Sequence, residues 1–278
     1  MINRLLLFFA LTVLLAAAQP CAASATLRFA PQPTLSLSLT ERNFRPFVRL
    51  LEEILQRPVE LVLKRDYAEI IAALKNDQID LAYLGPLPYV IASNSDPALE
   101  PLLRFTEPDG SASYRCVLVV FGDTPATDLP HPCRVALTQP YSTCGYFMAS
   151  QLLQQIGRNL ETCDYSYAGS HDSAALEVVR GHADLAALKD SIATDYGKLG
   201  LRVIAQSEPL PGFLLVGNRR TLDEASFSQL RQQLLTRQAL PEVEPLQLIG
   251  KNLIAVKAAD YATLRQQLQR QPVPGLGQ

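Results

Sequence analysis

Apolar residues along this chain change their period several times, and each change predicts an element. Leu27 to Ala30 is a short apolar run that reads as a first strand, with a loop from Pro31 to Leu39 after it. Phe44, Phe47, Leu50, Leu51, Ile54 and Leu55 then recur at helical spacing, and Pro58 closes that helix just after Gln56 to Arg57. Val59 to Leu63 alternates and is a strand. Asp66 stands where a helix N-cap belongs, ahead of Ile70, Ile71, Ala73 and Leu74 on one face. Ile79 to Leu84 is a buried strand stopped by Gly85-Pro86, and Leu87 to Ala92 is a short helix. This βαβαβ rhythm predicts a parallel sheet with helices on its faces.

Leu99 to Phe105 and Tyr114 to Phe121 read as extended, with a turn at Pro108-Asp109-Gly110, and mark the crossing into a second domain. There the rhythm returns: strands at 134–137, 164–168 and 184–188 alternate with helices at 145–156 and 172–180. Leu201 to Ala205 and Phe213 to Val216 are further strands. Thr221-x-x-Glu224 reads as a capping box opening a helix to about Arg237; Leu246 to Val256 reads as extended, and Asp260 as the cap of a last helix. The two halves also repeat in detail. Tyr67 lies 13 residues before Asp80-Leu81-Ala82, and His171 lies 13 residues before Asp184-Leu185-Ala186. The expected organisation is an α/β chain of two lobes: 26–110 with a C-terminal return at 220–278, and 111–219.

The N-terminus adds a compartment. Arg4 precedes an unbroken apolar run from Leu5 to Ala18, and small residues from Ala22 to Ala25 follow, so 1–25 reads as a cleaved secretory signal and the mature chain as periplasmic. With 278 residues and 48% hydrophobic composition, the chain can bury a large core. A formal net charge of −2 argues against nucleic acid as a partner. Beyond the signal remain Cys116, Cys133, Cys144 and Cys163, an even number that allows two disulfides in an oxidising compartment, with three connectivities. Cys133 and Cys163 each precede a strand expected to be parallel and adjacent, which favours that pair and leaves Cys116 with Cys144. A functional thiol at Cys144 is the competing reading. The cysteine spacings match no zinc pattern, and no metal or cofactor is expected.

The candidate chemistry gathers around one loop. Ser142, Thr143, Cys144 and Gly145 link a strand to an amphipathic helix, where free backbone amides and the helix dipole favour an anion. The plainer reading is an ordinary Ser/Thr N-cap. His171, at the helix start equivalent to Tyr67, is expected at the same sheet edge as a donor and, at mildly acidic pH, as a cation. Tyr67 and Tyr114 are candidate phenol donors. Lys189 follows a strand and is either a cleft cation or a solvated lysine. Ser142 or Cys144 with His171 could be drawn as nucleophile and base, but no Gly-x-Ser-x-Gly elbow or orienting carboxylate accompanies them, and no enzymatic activity is expected.

In this order and spacing, Asp66-Tyr67-Ala68-Glu69-Ile70-Ile71, Ile79 to Pro86, Ser142-Thr143-Cys144-Gly145-Tyr146, Gly169-Ser170-His171-Asp172 and Ser207 to Gly212 resemble the phosphonate, phosphite and phosphate substrate-binding proteins of ABC transporters. The resemblance implies a type II periplasmic-binding-protein fold closing by hinge motion. The chain is expected to pass a small tetrahedral oxyanion to a membrane permease or a sensor, and to act as a monomer. Tyr67, Tyr114, Ser142, Thr143, Cys144 and His171 would be the head-group contacts. Ser191 and Phe213 stand where aminoalkylphosphonate binders carry acidic residues, so the resemblance implies a lost amine seat. A sensory protein feeding a membrane kinase or cyclase, a thiol-dependent binder of arsenite-type oxyanions, and a degenerate cleft are the alternatives.

Overall fold

The computed structural model describes residues 25–94, 96–237 and 250–274. The expected signal segment up to residue 24 and the first four residues of the expected 246–256 strand lie outside them; of the rest of that stretch only Leu253–Ile254 is a strand. Thirteen strands form two larger sheets and one ribbon: β1 Leu27–Pro31, β2 Val59–Leu61, β3 Leu81–Leu84, β4 Leu99–Phe105, β5 Ser113–Tyr114, β6 Cys116–Phe121, β7 Arg134–Leu137, β8 Asp164–Tyr167, β9 Leu185–Lys189, β10 Leu201–Gln206, β11 Leu210–Pro211, β12 Leu214–Asn218 and β13 Leu253–Ile254. The first sheet runs β13-β4-β12-β3-β1-β2, and the second β10-β6-β9-β7-β8.

In each sheet the three strands of the βαβαβ rhythm are parallel, as expected, with β1 between β2 and β3 and with β7 between β8 and β9. The crossing strands are antiparallel, so both sheets are mixed. The chain passes between the sheets twice, after β4 and after β10. The two crossings pair with each other as β5 and β11, Leu210 opposite Tyr114. Ser207 fastens the second crossing to the first: its amide donates to the Cys116 carbonyl, and its hydroxyl accepts from the Cys116 amide. The boundary expected at 219 is corrected here. β12 lies in the first sheet, between β3 and β4, so the return begins before Leu214. A hydrophobic-to-polar pattern marks a strand but does not say which sheet receives it.

The repeat of Asp-Leu-Ala has a structural cause. Asp80 accepts from the Arg28 amide at 2.7 Å and from its guanidinium at 2.6 Å. Asp184 does the same for Arg134, at 2.7 and 2.6 Å. Each pair joins neighbouring strands at their amino ends. The arginine beside each holds its carboxyl below the usual carboxylate range against the opposing effect of burial.

Eight helices are described: α1 Leu37–Leu55, α2 Tyr67–Lys75, α3 Pro86–Ser93, α4 Met148–Gln155, α5 His171–Val179, α6 Asp190–Tyr196, α7 Glu224–Thr236 and α8 Ala262–Arg270. Four details differ from expectation. α1 starts earlier, because Ser36 caps it through Leu39 N. α6 was not expected; its seven residues are too few to show a period. Asp223, not Thr221, caps α7. Asp260 sits inside a 3₁₀ turn and accepts from the Lys257 amide ahead of α8. No helix among the described residues is long and apolar enough to cross a membrane.

Candidate functional site

The carboxyl ends of the parallel strands from both sheets meet. Gln32 follows β1, Gly85 to Leu87 follow β3, Thr138 to Cys144 follow β7, Gly169 to His171 follow β8, and Lys189 ends β9. A small pocket there is lined by Gln32, Tyr114, Ser142 to Cys144, His171, Lys189 and Phe213. Six of the seven expected site residues line it. The seventh, Tyr67, is buried directly behind, its phenol hydrogen-bonded to Gln32 and Ser142.

The loop that supplies the donors has a particular shape. Residues Thr143–Phe147 form a distorted wide turn before α4, with Gly145 at φ −69° and ψ −130°. A Cβ at Gly145 would lie 2.6 Å from the Gln139 carbonyl oxygen and 3.0 Å from both Ser142 Cβ and Thr138 Oγ1, so only glycine lets the loop fold back. Ser142 occupies the N-cap position but makes no capping hydrogen bond. The ordinary-cap reading therefore fails, and the hydroxyl is turned toward Tyr67 instead. By contrast Asp66 and Ser170 are true caps, accepting from Glu69 N and Ser173 N. The amides of Thr143 and Cys144 open the turn and have no intrahelical partner.

Both expected disulfides are present. Cys116 is joined to Cys144 with Cα atoms 5.1 Å apart, and Cys133 to Cys163 with Cα atoms 4.9 Å apart. The functional thiol at Cys144 is thereby corrected: its sulfur is bonded, and what it offers the pocket is a backbone amide. Thiol-dependent capture of an arsenite-type oxyanion loses both of its candidate thiols, Cys116 and Cys144.

His171 is almost fully buried at the first position of α5. Its Nδ1 accepts from the Lys189 amide at 3.2 Å, which leaves the Nε2–H as its donor. The expectation of a cation at mildly acidic pH is corrected. Burial, with a smaller push from the Lys189 charge, pulls the imidazole down to about 3. Below pH 6.5 the unfolded chain binds a proton at this position and the folded chain does not, so stability is complete above 6.5 and falls as pH drops toward 3. Denaturant unfolding between pH 7 and 4.5 should show this loss, approaching ~1.4 kcal/mol per pH unit at the acid end. His171→Asn should flatten it; an unchanged slope would contradict a neutral buried imidazole.

Burial also pushes the Tyr67 phenol up to about 12, partly offset by its bonds to Gln32 and Ser142. It raises Tyr114 as well, against a hydrogen bond to Thr143. Both phenols are protonated donors at neutral pH. Lys189 is not a free cleft cation: its Nζ lies 2.5 Å from Glu107 Oε2, and both side chains are largely buried. The pocket lining therefore carries neutral polar groups and one ammonium, Lys189, whose charge is balanced by Glu107. Among the described residues no cluster of three or more His, Cys, Asp or Glu side chains could hold a metal ion.

Polar contacts between the two sheets hold the site together. Gln139 Oε1 accepts from Tyr67 N at 3.0 Å, while its Nε2 donates to the Gly169 carbonyl at 2.7 Å. Thr143 Oγ1 accepts from Leu87 N, at the start of α3, at 3.1 Å.

A family model described as "ABC transporter, phosphonate, periplasmic substrate-binding protein" matches residues 29–270. The chain belongs to this family. The phosphonate-binding family is one of substrate-binding transport proteins, not of enzymes, and its members are periplasmic. The chain is 25% identical over 213 residues to the phosphate-import protein PhnD of Mycolicibacterium smegmatis, covering 69% of this chain and 66%, just under two thirds, of that relative. It is 26% identical over 250 residues to the phosphonates-binding periplasmic protein of Escherichia coli K12, covering 84% of this chain and 72% of that one. Among solved structures, PhnD1 of Prochlorococcus marinus in complex with methylphosphonate superposes with a TM-score of 0.76 at 17% identity, over 88% of this chain and 97% of that one. The type II periplasmic-binding-protein fold that the motifs implied is the fold of this phosphonate-binding family member.

Three residues at the site escaped sequence reading. Gln32 and Gln139 read as loop residues in the sequence, although a polar residue just past a buried parallel strand stands where ligands bind such sheets. Glu107 lies in the first crossing, and nothing in its neighbourhood ties it to a lysine 82 positions later. Ser191, expected opposite a ligand amine, is not in the pocket lining; it sits on α6 with its amide bonded to Asp190.

Proposed function

We propose that the protein captures a small tetrahedral oxyanion of the phosphite, phosphate or alkylphosphonate class in the periplasm and delivers it to an ABC permease. One observation carries the reading: the Ser142 hydroxyl is released from capping duty and shares a pocket with Thr143 and His171. The His171 Nε2–H and the amides of Thr143 and Cys144 add neutral donors from residues that line the same pocket. Each hydrogen bond to a charged acceptor contributes about 1.5–3 kcal/mol, so five or six, less the cost of closure, reach micromolar affinity at about −8 kcal/mol.

The pocket offers ≈ 10 Å³ of water-accessible space, room for about one water molecule. An oxyanion therefore enters as the two sheets part about the β5–β11 crossings, which frees Thr143 from Leu87, and the sheets then close on it. The signal segment at 1–25 provides export. Calorimetry of the mature protein against phosphate, phosphite, methylphosphonate and 2-aminoethylphosphonate tests the reading. Micromolar binding of one of the first three, with 2-aminoethylphosphonate weaker, is expected. Tighter 2-aminoethylphosphonate binding than either phosphite or methylphosphonate would reject the amine-free preference, and no oxyanion binding would reject the function.

A further inference from the structure

The Lys189 ammonium sits in an enclosure built by the two crossing segments. Its Nζ lies 5.1 Å from the Tyr114 ring centroid and 5.2 Å from that of Phe213, with Glu107 Oε2 at 2.5 Å. Tyr83 stacks on the outer face of Phe213 at 5.0 Å and fixes that wall. Two aromatic faces and one buried carboxylate make a cation box. Its four parts come from β5, β9 and the two connections, and the box opens onto the same pocket as Ser142, Thr143 and His171.

From this juxtaposition, and resting on the oxyanion reading above, we infer that the amine seat is not lost but occupied: Lys189 is a built-in alkylammonium that excludes ligands carrying their own. Phe213 is then a wall of the seat rather than a sign of its loss, and Glu107 is its acid. Specificity works by prior occupation. An alkylphosphonate without an amine leaves the Lys189–Glu107 pair intact. An aminoalkylphosphonate must either displace the lysine or bring a second cation to a carboxylate already paired. The Lys189 backbone amide orients His171 whatever the side chain, so truncation at 189 leaves that donor in position.

Lys189→Ala tests this, with Glu107→Gln/Lys189→Ala as its partner. Lys189→Ala should bind 2-aminoethylphosphonate roughly 10- to 100-fold more tightly than the parent chain does, and the double variant should lose that gain. Ethylammonium chloride, which carries no oxyanion, should raise the melting temperature of Lys189→Ala but not of the parent or the double variant. A Lys189→Ala chain that folds only with ethylammonium present also supports the seat. If it binds methylphosphonate yet gains nothing from either amine, or stays unfolded with ethylammonium, the inference is overturned and the oxyanion reading is untouched. Ethylammonium stabilisation without oxyanion binding by any variant would support the seat and overturn the oxyanion reading.

Discussion

Ser142→Ala and His171→Ala should each weaken oxyanion binding by roughly 10- to 150-fold while leaving the fold intact, because each removes one hydrogen bond to a charged ligand. The two residues come from separate connections, after β7 and before α5, and meet only because both lie at carboxyl ends of one sheet. Calorimetry with the tightest ligand of the panel measures the loss, and circular dichroism checks the fold. Tyr67→Phe should cost less: the phenol holds Ser142 from behind and does not line the pocket. Unchanged affinity in both alanine variants would move the site elsewhere on the protein.

The two disulfides should separate stability from binding. Cys116→Ala/Cys144→Ala opens a bridge spanning 28 positions, and Cys133→Ala/Cys163→Ala one spanning 30, so chain entropy gives them similar stabilities of about 3–4 kcal/mol each. Each double variant should lose roughly 10 °C in melting temperature. Their effects on affinity should differ. Cys144 lies in the loop proposed to hold the anion and is tied to the start of β6, so its release should loosen the amides of Thr143 and Cys144. Cys133 and Cys163 precede β7 and β8 and lie at the amino ends of those strands, away from the pocket. Calorimetry should show weaker binding in the first variant and near-parental binding in the second. Equal affinity losses would mean that the loop is not held by its own bridge.

The strands and most helices were legible because each carries its own period, and the equivalence of Tyr67 and His171 was legible because the same spacing recurs around both. What the sequence did not reveal was contact across the cleft. Glu107 and Lys189 attract each other only once the first crossing is laid beside the end of β9, and sheet membership of β12 depends on the second crossing, not on its own residues. The histidine's charge differs from expectation for a related reason: a side chain at a helix start looks exposed in sequence, whereas His171 is buried with its Nδ1 against the Lys189 amide. The cysteine pairing was readable because it depends on neighbouring parallel strands, whose order the βαβ rule largely fixes.

The twin Arg28–Asp80 and Arg134–Asp184 clasps have a mechanical consequence. Each pins the origin of a strand whose opposite tip carries part of the binding lip: β3 leads to Leu87, and β9 ends in Lys189. Both halves are thus braced at the rear, while at the rim they are joined to each other by the contacts of Gln139 with Tyr67 and Thr143 with Leu87. On the capture reading proposed above, the rear clasps stay shut when a guest enters, and the work of opening falls on the few contacts across the rim.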